Sequence, residues 1–367
     1  MTLLEAGNFS FFGILMADFK NPFGWSSSRA DLFYRCQKKY FFNYYVSELR
    51  NVGIEYWLEG LLLKNLTSYK MWLGTHTHGV ISDYLHLLAD EKGNIDAVNL
   101  DKLKDDLFDD MKREFDLAKN RQYDKYDKNL KFGFNEFCYG EEIDEDMEIG
   151  YERVWNNLIA LVGSELNQKI SSCFMKGNKY YIEPKISDFE KMKLILDDDP
   201  VLKNVVIRAQ PDFGLLGDDG VYYIYDWKSG SKKDVSEDTI SDQLKVYACR
   251  LLKNMGKTMN DVKIKAYEVY VPSMDVIGGD VVASDVEYIR GKIMDDVMTF
   301  SKLLKGEDIV MNKPGDIDRF ERTDNVSKCV SCRFRRLCAK LKKVDGDNKS
   351  NEVLDNIGFS RDSGALF

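Results

Sequence analysis

No stretch of 18 or more apolar residues occurs in the 367-residue sequence, so no membrane-spanning helix is expected. The opening MTLLEAGNFSFFGILMADF has apolar patches but carries Glu5 and lacks a basic n-region, so it does not read as a secretory signal. A cytoplasmic protein that stays off membranes is the expectation. An excess of positive charge is also missing. Lysine and arginine total 52 against 61 acids, a net −9, which excludes a surface that binds phosphate everywhere but not a local basic stripe. The seven cysteines are an odd number, and without an export signal a disulfide framework is not expected. No internal repeat is visible.

The charge that is present is segregated. Acid gathers at Asp105, Asp109 and Asp110, then at Glu141, Glu142, Asp144, Glu145, Asp146 and Glu148. Base gathers in KCVSCRFRRLCAKLKK, residues 328–343, which holds no acid. Such runs are commonly solvated faces. Their separation adds the option that Arg333, Arg335, Arg336, Lys340 and Lys342 face a polyanion. Cys138, Cys173 and Cys249 stand alone in mixed apolar surroundings and read as small core residues.

The length suffices for one large core or two modest ones. Residues 26–47 read as a helix capped by Ser28, with Leu32, Cys36, Tyr40 and Tyr44 at helical spacing. Further helices are expected over 74–90, 100–118 (Leu103, Leu107, Met111 and Phe115 on one face) and 149–173. The character then changes to short β-branched or aromatic segments at 180–184, 204–209, 213–217 and 221–227. A helix over 237–254, strands at 262–271 and 280–284, and a helix from a Ser284–Glu287 capping box to about Leu304 complete the pattern. The expectation is a single α/β domain over 26–343, preceded by an extension (1–25). It divides into a mainly helical part (26–175), a catalytic α/β core (176–306) and a cysteine-rich segment (307–343). The polar tail, 344–367, is expected to be mobile.

The informative segment is QPDFGLLGDDGVYYIYDWKSG, residues 210–230. Two strands flank a three-residue loop whose last position suits Gly220. If Gly217 opposes Val221, Asp212 opposes Asp226, and alternation puts Asp226 and Lys228 on one face. Adjacent carboxylates repel unless a cation neutralises them, and Mg²⁺ or Mn²⁺ is the natural occupant. A neighbouring ammonium can orient or help deprotonate an attacking water. In isolation, D-x-K is a common surface ion pair.

It is not isolated here. Asp212, then Asp226-Trp227-Lys228, then Gln243 and Tyr247 four apart, resemble the RecB-type PD-(D/E)XK nucleases. Gly74 and His78 are similar to that family's G-x-x-x-H helix start, with His76 a nearby competitor, and Glu183 resembles its first-strand glutamate. The resemblance implies a PD-(D/E)XK (restriction-endonuclease-like) core, a mixed central sheet flanked by helices with an N-terminal helical elaboration. It also implies a metal held by His78, Asp212, Asp226 and the Trp227 carbonyl. Lys228 would serve the water, while Glu183, Gln243 and Tyr247 would support the site or touch DNA.

Cys329, Cys332 and Cys338 form C-x2-C-x5-C, and Cys36 lies on the first expected helix. Three clustered cysteines cannot complete four-coordinate ligation, so a closed site needs a ligand from elsewhere. The one-plus-three arrangement is similar to AddB-type helicase–nuclease subunits and RecB-like nucleases associated with CRISPR adaptation. It implies a 4Fe–4S cluster, with structural Zn²⁺ as the alternative occupant. Gln37 stands where that pattern commonly has proline, a change expected to matter little in mid-helix. The roughly 130 residues between His78 and Asp212 are a long insertion that nothing in the pattern explains.

Together these features imply a metal-dependent DNA nuclease in repair, recombination or CRISPR adaptation. Its rivals are a non-catalytic DNA-binding subunit, which has no reason to retain Asp212, Asp226 and Lys228 together, and a redox-sensing iron–sulfur protein. No G-x-x-x-x-G-K-[ST] occurs, so any unwinding would come from a helicase partner.

Overall fold

The structure, a computed structural model, describes residues 23–123, 132–183, 193–232 and 234–344. The expected extension is already part of the fold at its end. Phe23 and Trp25 are each 1% exposed, and Gly24–Trp25 (β1) pairs in parallel with residues 206 and 207. The remaining extension (1–22) and the tail from 345 lie outside the described residues.

The single helix expected over 26–47 is two. Ser26, in extended conformation, caps Ser27–Arg35 (α1) by accepting the Arg29 N–H at 3.1 Å, so the cap is Ser26 and not Ser28. Cys36 (φ −169°, ψ 105°) breaks the helix, and its Sγ accepts the Lys39 N–H at 3.4 Å to start Gln37–Tyr44 (α2). Gln37 is therefore a first helical residue, the position where proline fits because its N–H needs no intrahelical partner. It is not in mid-helix.

Ile54–Lys64 (α3) and Leu66–Thr67 (β2) lead to Tyr69–Asp90 (α4), which starts five residues before Gly74 because Ser68 accepts the Met71 N–H. Leu100–Lys119 (α5) buries Leu103, Leu107 and Met111 as expected. Gly133–Phe134 (β3) pairs in parallel with β2 and precedes Asn135–Cys138 (α6). The helix expected over 149–173 divides into Met147–Val162 (α7) and Glu165–Met175 (α8). The break falls at Gly163, and Ser164 recaps the chain by accepting the Asn167 N–H.

The remaining strands are Tyr180–Ile182 (β4), Lys193–Leu194 (β5), Val206–Arg208 (β6), Phe213–Leu216 (β7), Val221–Lys228 (β8), Lys263–Tyr270 (β9) and Asp275–Asp280 (β10). Asp242–Met255 (α9) starts later than expected, where Ser241 caps it. The strand expected at 280–284 lies at 275–280 instead. Gly278 sits there at φ +139°, where a Cβ would come within 2.1 Å of Ala266 O, so glycine at that position is a requirement of pairing. Ala283–Ser301 (α10) begins with the Asp285 carboxylate accepting the Val282 N–H at 3.0 Å, which replaces the expected Ser284–Glu287 box. Val326–Val330 (α11) and Arg335–Val344 (α12) complete the chain's described part.

The main sheet runs β10-β9-β8-β7-β4, with β8 and β9 parallel and the other neighbours antiparallel. A smaller sheet orders β1-β6-β5. Alternation along β8 separates two cores. Tyr223, Tyr225 and Trp227 stack 6.1–6.3 Å apart on one face, in a core shared with α4, α5, α7 and α8. Ile224 faces the opposite core with α9, α10 and the N-terminal helices. Burial of each such ring or aliphatic side chain contributes about 1.5–3 kcal/mol of transfer free energy. The long insertion between His78 and Asp212 supplies one helical layer of the sandwich, and α7 packs along α4, the helix that carries His78. Among the described residues, no helix is long and apolar enough to cross a membrane.

Candidate metal and active site

Gly220, at φ +74°, turns β7 into β8, and Gly217 N–H donates to Val221 O at 2.9 Å. Phe213 then pairs with Tyr225, and one step beyond that ladder the register sets Asp212 opposite Asp226. Asp212 Oδ2 accepts the Trp227 N–H at 2.7 Å and lies 3.3 Å from His78 Nδ1. The Glu183 N–H donates to Asp212 O at 2.9 Å. One ligand atom each from His78, Glu183 and Asp212 lie within 4.8 Å of one another.

Asp226 is 2% exposed. Its Oδ1 accepts from Gln243 Nε2 and Tyr247 Oη, each at 3.1 Å, because both residues project from one face of α9. Its Oδ2 has no hydrogen bond among the described residues, only the Lys228 ammonium set against it. Lys228 Nζ also donates to Gln243 Oε1 at 3.3 Å and lies 3.9 Å from Glu268 Oε1.

The electrostatics follow from this crowding. Burial and the Asp212 charge push the Asp226 carboxyl up to about 6, against the pull of Lys228. Burial and Asp212 push Glu183 up to about 7, opposed by His78. Burial disfavours the His78 imidazolium, but its hydrogen bond to Asp212 and the surrounding carboxylate charges outweigh that and raise it to about 9. Burial also disfavours the Lys228 ammonium, yet Asp226 and Glu268 hold it above its ordinary value.

His76 is accounted for elsewhere, bonded to Glu114 of α5 at 3.0 Å, which leaves His78 as the histidine of this site. Gly74 passes close to the segment after Lys228, since a Cβ there would lie 3.2 Å from Ser229 Oγ. Two residues escape the motif. Glu268 is 4% exposed and pairs directly with Asp226 in the parallel β8–β9 ladder. An acid in the apolar strand AYEVYV was its signal. Gln210 donates to Glu183 Oε1 at 2.7 Å, and nothing in its spacing announced it.

Most of the C-terminal basic run offered as a polyanion-facing stripe is paired within the protein. Arg333 bonds Asn43 and the Leu66 carbonyl, Arg335 pairs with Glu141, and Arg336 and Lys340 share Glu59, itself 1% exposed. Arg335 is buried against Glu141 and Arg336 half-buried against Glu59, whereas Lys340, which also meets Glu59, stays exposed. The Lys342 side chain lies outside the described residues.

The cysteine segment does return to the first helices. Lys38 N–H donates to Glu321 O at 2.9 Å, and Phe334 packs on Phe42 with centroids 5.2 Å apart. Cys36 acts electrostatically on both Cys332 and Cys338, whose thiols are raised chiefly by burial. Cys329 lies in α11, with its carbonyl accepting the Cys332 N–H. Of the other three, Cys173 and Cys249 are buried as expected, while Cys138 is half-buried.

Comparison with curated proteins finds no match. The family model of the PD-(D/E)XK nuclease superfamily matches residues 24–339, from β1 to the helix that carries Cys338, and the chain therefore belongs to that superfamily.

Proposed function

We propose that this protein is a Mg²⁺- or Mn²⁺-dependent deoxyribonuclease of the RecB/AddB type, acting on linear or single-stranded DNA. The observation that carries the reading is the convergence of His78, Glu183 and Asp212 beside the Asp226–Lys228 pair. The crowding of Asp212, Asp226 and Glu183, with the Asp226 and Glu183 carboxyls pushed up by burial and by Asp212, suits a divalent cation that would join Lys228 and His78 in offsetting their charge. His78, Asp212, Asp226 and the Trp227 carbonyl would hold it, with Glu183 alongside. Such an ion supplies Lewis-acid polarisation of a phosphate and a lowered pKa for bound water.

The chain's own groups have separable tasks. Gln243 and Tyr247 fix Asp226 through Oδ1 and leave Oδ2 toward Lys228. The Trp227 N–H and His78 fix Asp212. Lys228 Nζ, beside Asp226 and Gln243, is placed to orient or help deprotonate the attacking water, or to offset charge on phosphoryl oxygen.

Cys36, Cys329, Cys332 and Cys338 are assigned to a structural 4Fe–4S cluster that closes the chain ends over the nuclease core. The return of the cysteine segment onto α2 supports this. Its resemblance suggests that it processes DNA ends with a helicase or CRISPR adaptation partner.

Purified anaerobically, it should degrade labelled linear DNA only when Mg²⁺ or Mn²⁺ is present. Asp212→Asn and Lys228→Met should each abolish cleavage in folded protein. Undiminished cleavage by both variants would overturn the assignment.

A further inference from the structure

The parallel register of β8 and β9 sets Asp226 opposite Glu268 and Lys228 opposite Tyr270, so four polar side chains form a square on one face of the sheet. Asp226 and Glu268 are both buried. Like charges directly opposite each other in a ladder are unfavourable, and burial enlarges the effect. A second acid is also surplus to the ion pair present, because Lys228 already rests against Asp226 Oδ2.

Glu268 is nonetheless held in place. Its Oε2 accepts from Tyr270 Oη at 3.0 Å, and its Oε1 lies 3.9 Å from Lys228 Nζ. Gln243 Oε1 accepts from the same ammonium at 3.3 Å. Lys228 thus has one carboxylate in contact and a second a short side-chain movement away. That second acid gains a use once Asp226 serves a metal. A divalent cation and an ammonium repel at one carboxylate oxygen, so Lys228 must leave Asp226 Oδ2, and Glu268 Oε1 is within reach.

We propose that Glu268 is a positioning residue for Lys228, receiving its ammonium when a divalent cation takes Asp226 and so keeping the lysine beside the reacting centre. This rests on the metal-dependent nuclease reading and adds to it the placement of the lysine. Tyr270 orients Glu268 for the task. Both are buried, so they act through Lys228.

The first test needs no DNA. Calorimetric Mn²⁺ titration compares the parent with Glu268→Gln, which keeps the size of the side chain and removes its charge. The variant should bind Mn²⁺ about tenfold more weakly, because its ammonium has no second carboxylate to move to. In a Lys228→Met background the same substitution should cost about threefold or less, since no ammonium then needs a place. An equal loss in both backgrounds makes Glu268 a charge acting on the cation directly and overturns the proposal. A fall in bound stoichiometry at unchanged affinity marks a merely structural role and also overturns it. Cleavage is the second readout. Glu268→Gln should lower kcat about tenfold or more with KM for DNA unchanged, and Glu268→Asp should restore part of the loss. Tyr270→Phe keeps every charge and should lower kcat about threefold, which decides the matter if Glu268→Gln does not fold. A parent that cleaves DNA while the folded variants keep its kcat and Mn²⁺ affinity overturns the positioning role alone. A parent that shows the Lys228-dependent loss of Mn²⁺ affinity yet cleaves no DNA overturns the nuclease reading alone.

Discussion

Replacing Asp226 with asparagine should stabilise the metal-free protein while removing its activity. The side chain is 2% exposed, and burial beside Asp212 lifts its carboxyl from 3.8 to about 6 even with Lys228 against it. That rise corresponds to about 3 kcal/mol of penalty on the ionised form. A group whose folded-state pKa is raised contributes stability that is fully present below its unfolded value and is lost as pH rises through its folded one. The parent should therefore lose this contribution between about pH 4 and pH 6, whereas Asp226→Asn, which mimics the neutral acid, should not. Above pH 7 the variant should be more stable by up to about 3 kcal/mol. For a chain of this length that is a Tm difference of about 4 °C. Near pH 4 the two should coincide. Thermal unfolding in EDTA across this range reads the difference directly. Adding Mn²⁺ should narrow the gap, because the cation binds and stabilises the parent preferentially. A variant less stable than the parent at pH 8, or one whose advantage does not change with pH, would refute the claim that burial and Asp212 disfavour the ionised Asp226.

Metal binding should itself depend on pH, because His78 is raised to about 9 and Glu183 to about 7, so a cation must displace protons. Calorimetric Mn²⁺ titrations in two buffers of different ionisation enthalpy should show proton release at pH 7 and tighter binding at pH 8.5 than at pH 6; pH-independent affinity would count against these ligands. Glu59→Gln should cost about 3 kcal/mol in urea unfolding, since it leaves Arg336 and Lys340 facing a buried neutral amide; a loss under about 1 kcal/mol would show that these pairs do not anchor α12. Cys36→Ser should remove iron, visible colour and on the order of 5 kcal/mol of loop-closure stabilisation, while Cys249→Ser should retain all three. Stoichiometric zinc in a colourless protein would replace the cluster but leave the nuclease assignment standing.

The sequence by itself determined what local rules govern. Gly220 can take a positive φ, so the turn, the strand alternation and hence the Asp212–Asp226 register follow within twenty residues of chain. The four-residue spacing of Gln243 and Tyr247 likewise places both on one face of α9. Local pattern erred where a break costs little to recap: Cys36 and Ser164 each restart a helix with their own side chains, and apolar periodicity runs through both breaks unchanged. The strand expected at 280–284 lies earlier because Gly278 lets the backbone pass close to Ala266 O, a contact that only the pairing reveals. Only the tertiary structure decided the rest. Glu268 joins the site by the parallel pairing of β9 with β8, a relation with no sequence period. Arg333, Arg335 and Arg336 of the basic run find their partners in Asn43, Glu141 and Glu59, which come from elements some 200 to 290 residues away, while Lys340 stays exposed beside Glu59. Composition records how many charges a chain has, but packing selects which of them meet an opposite charge.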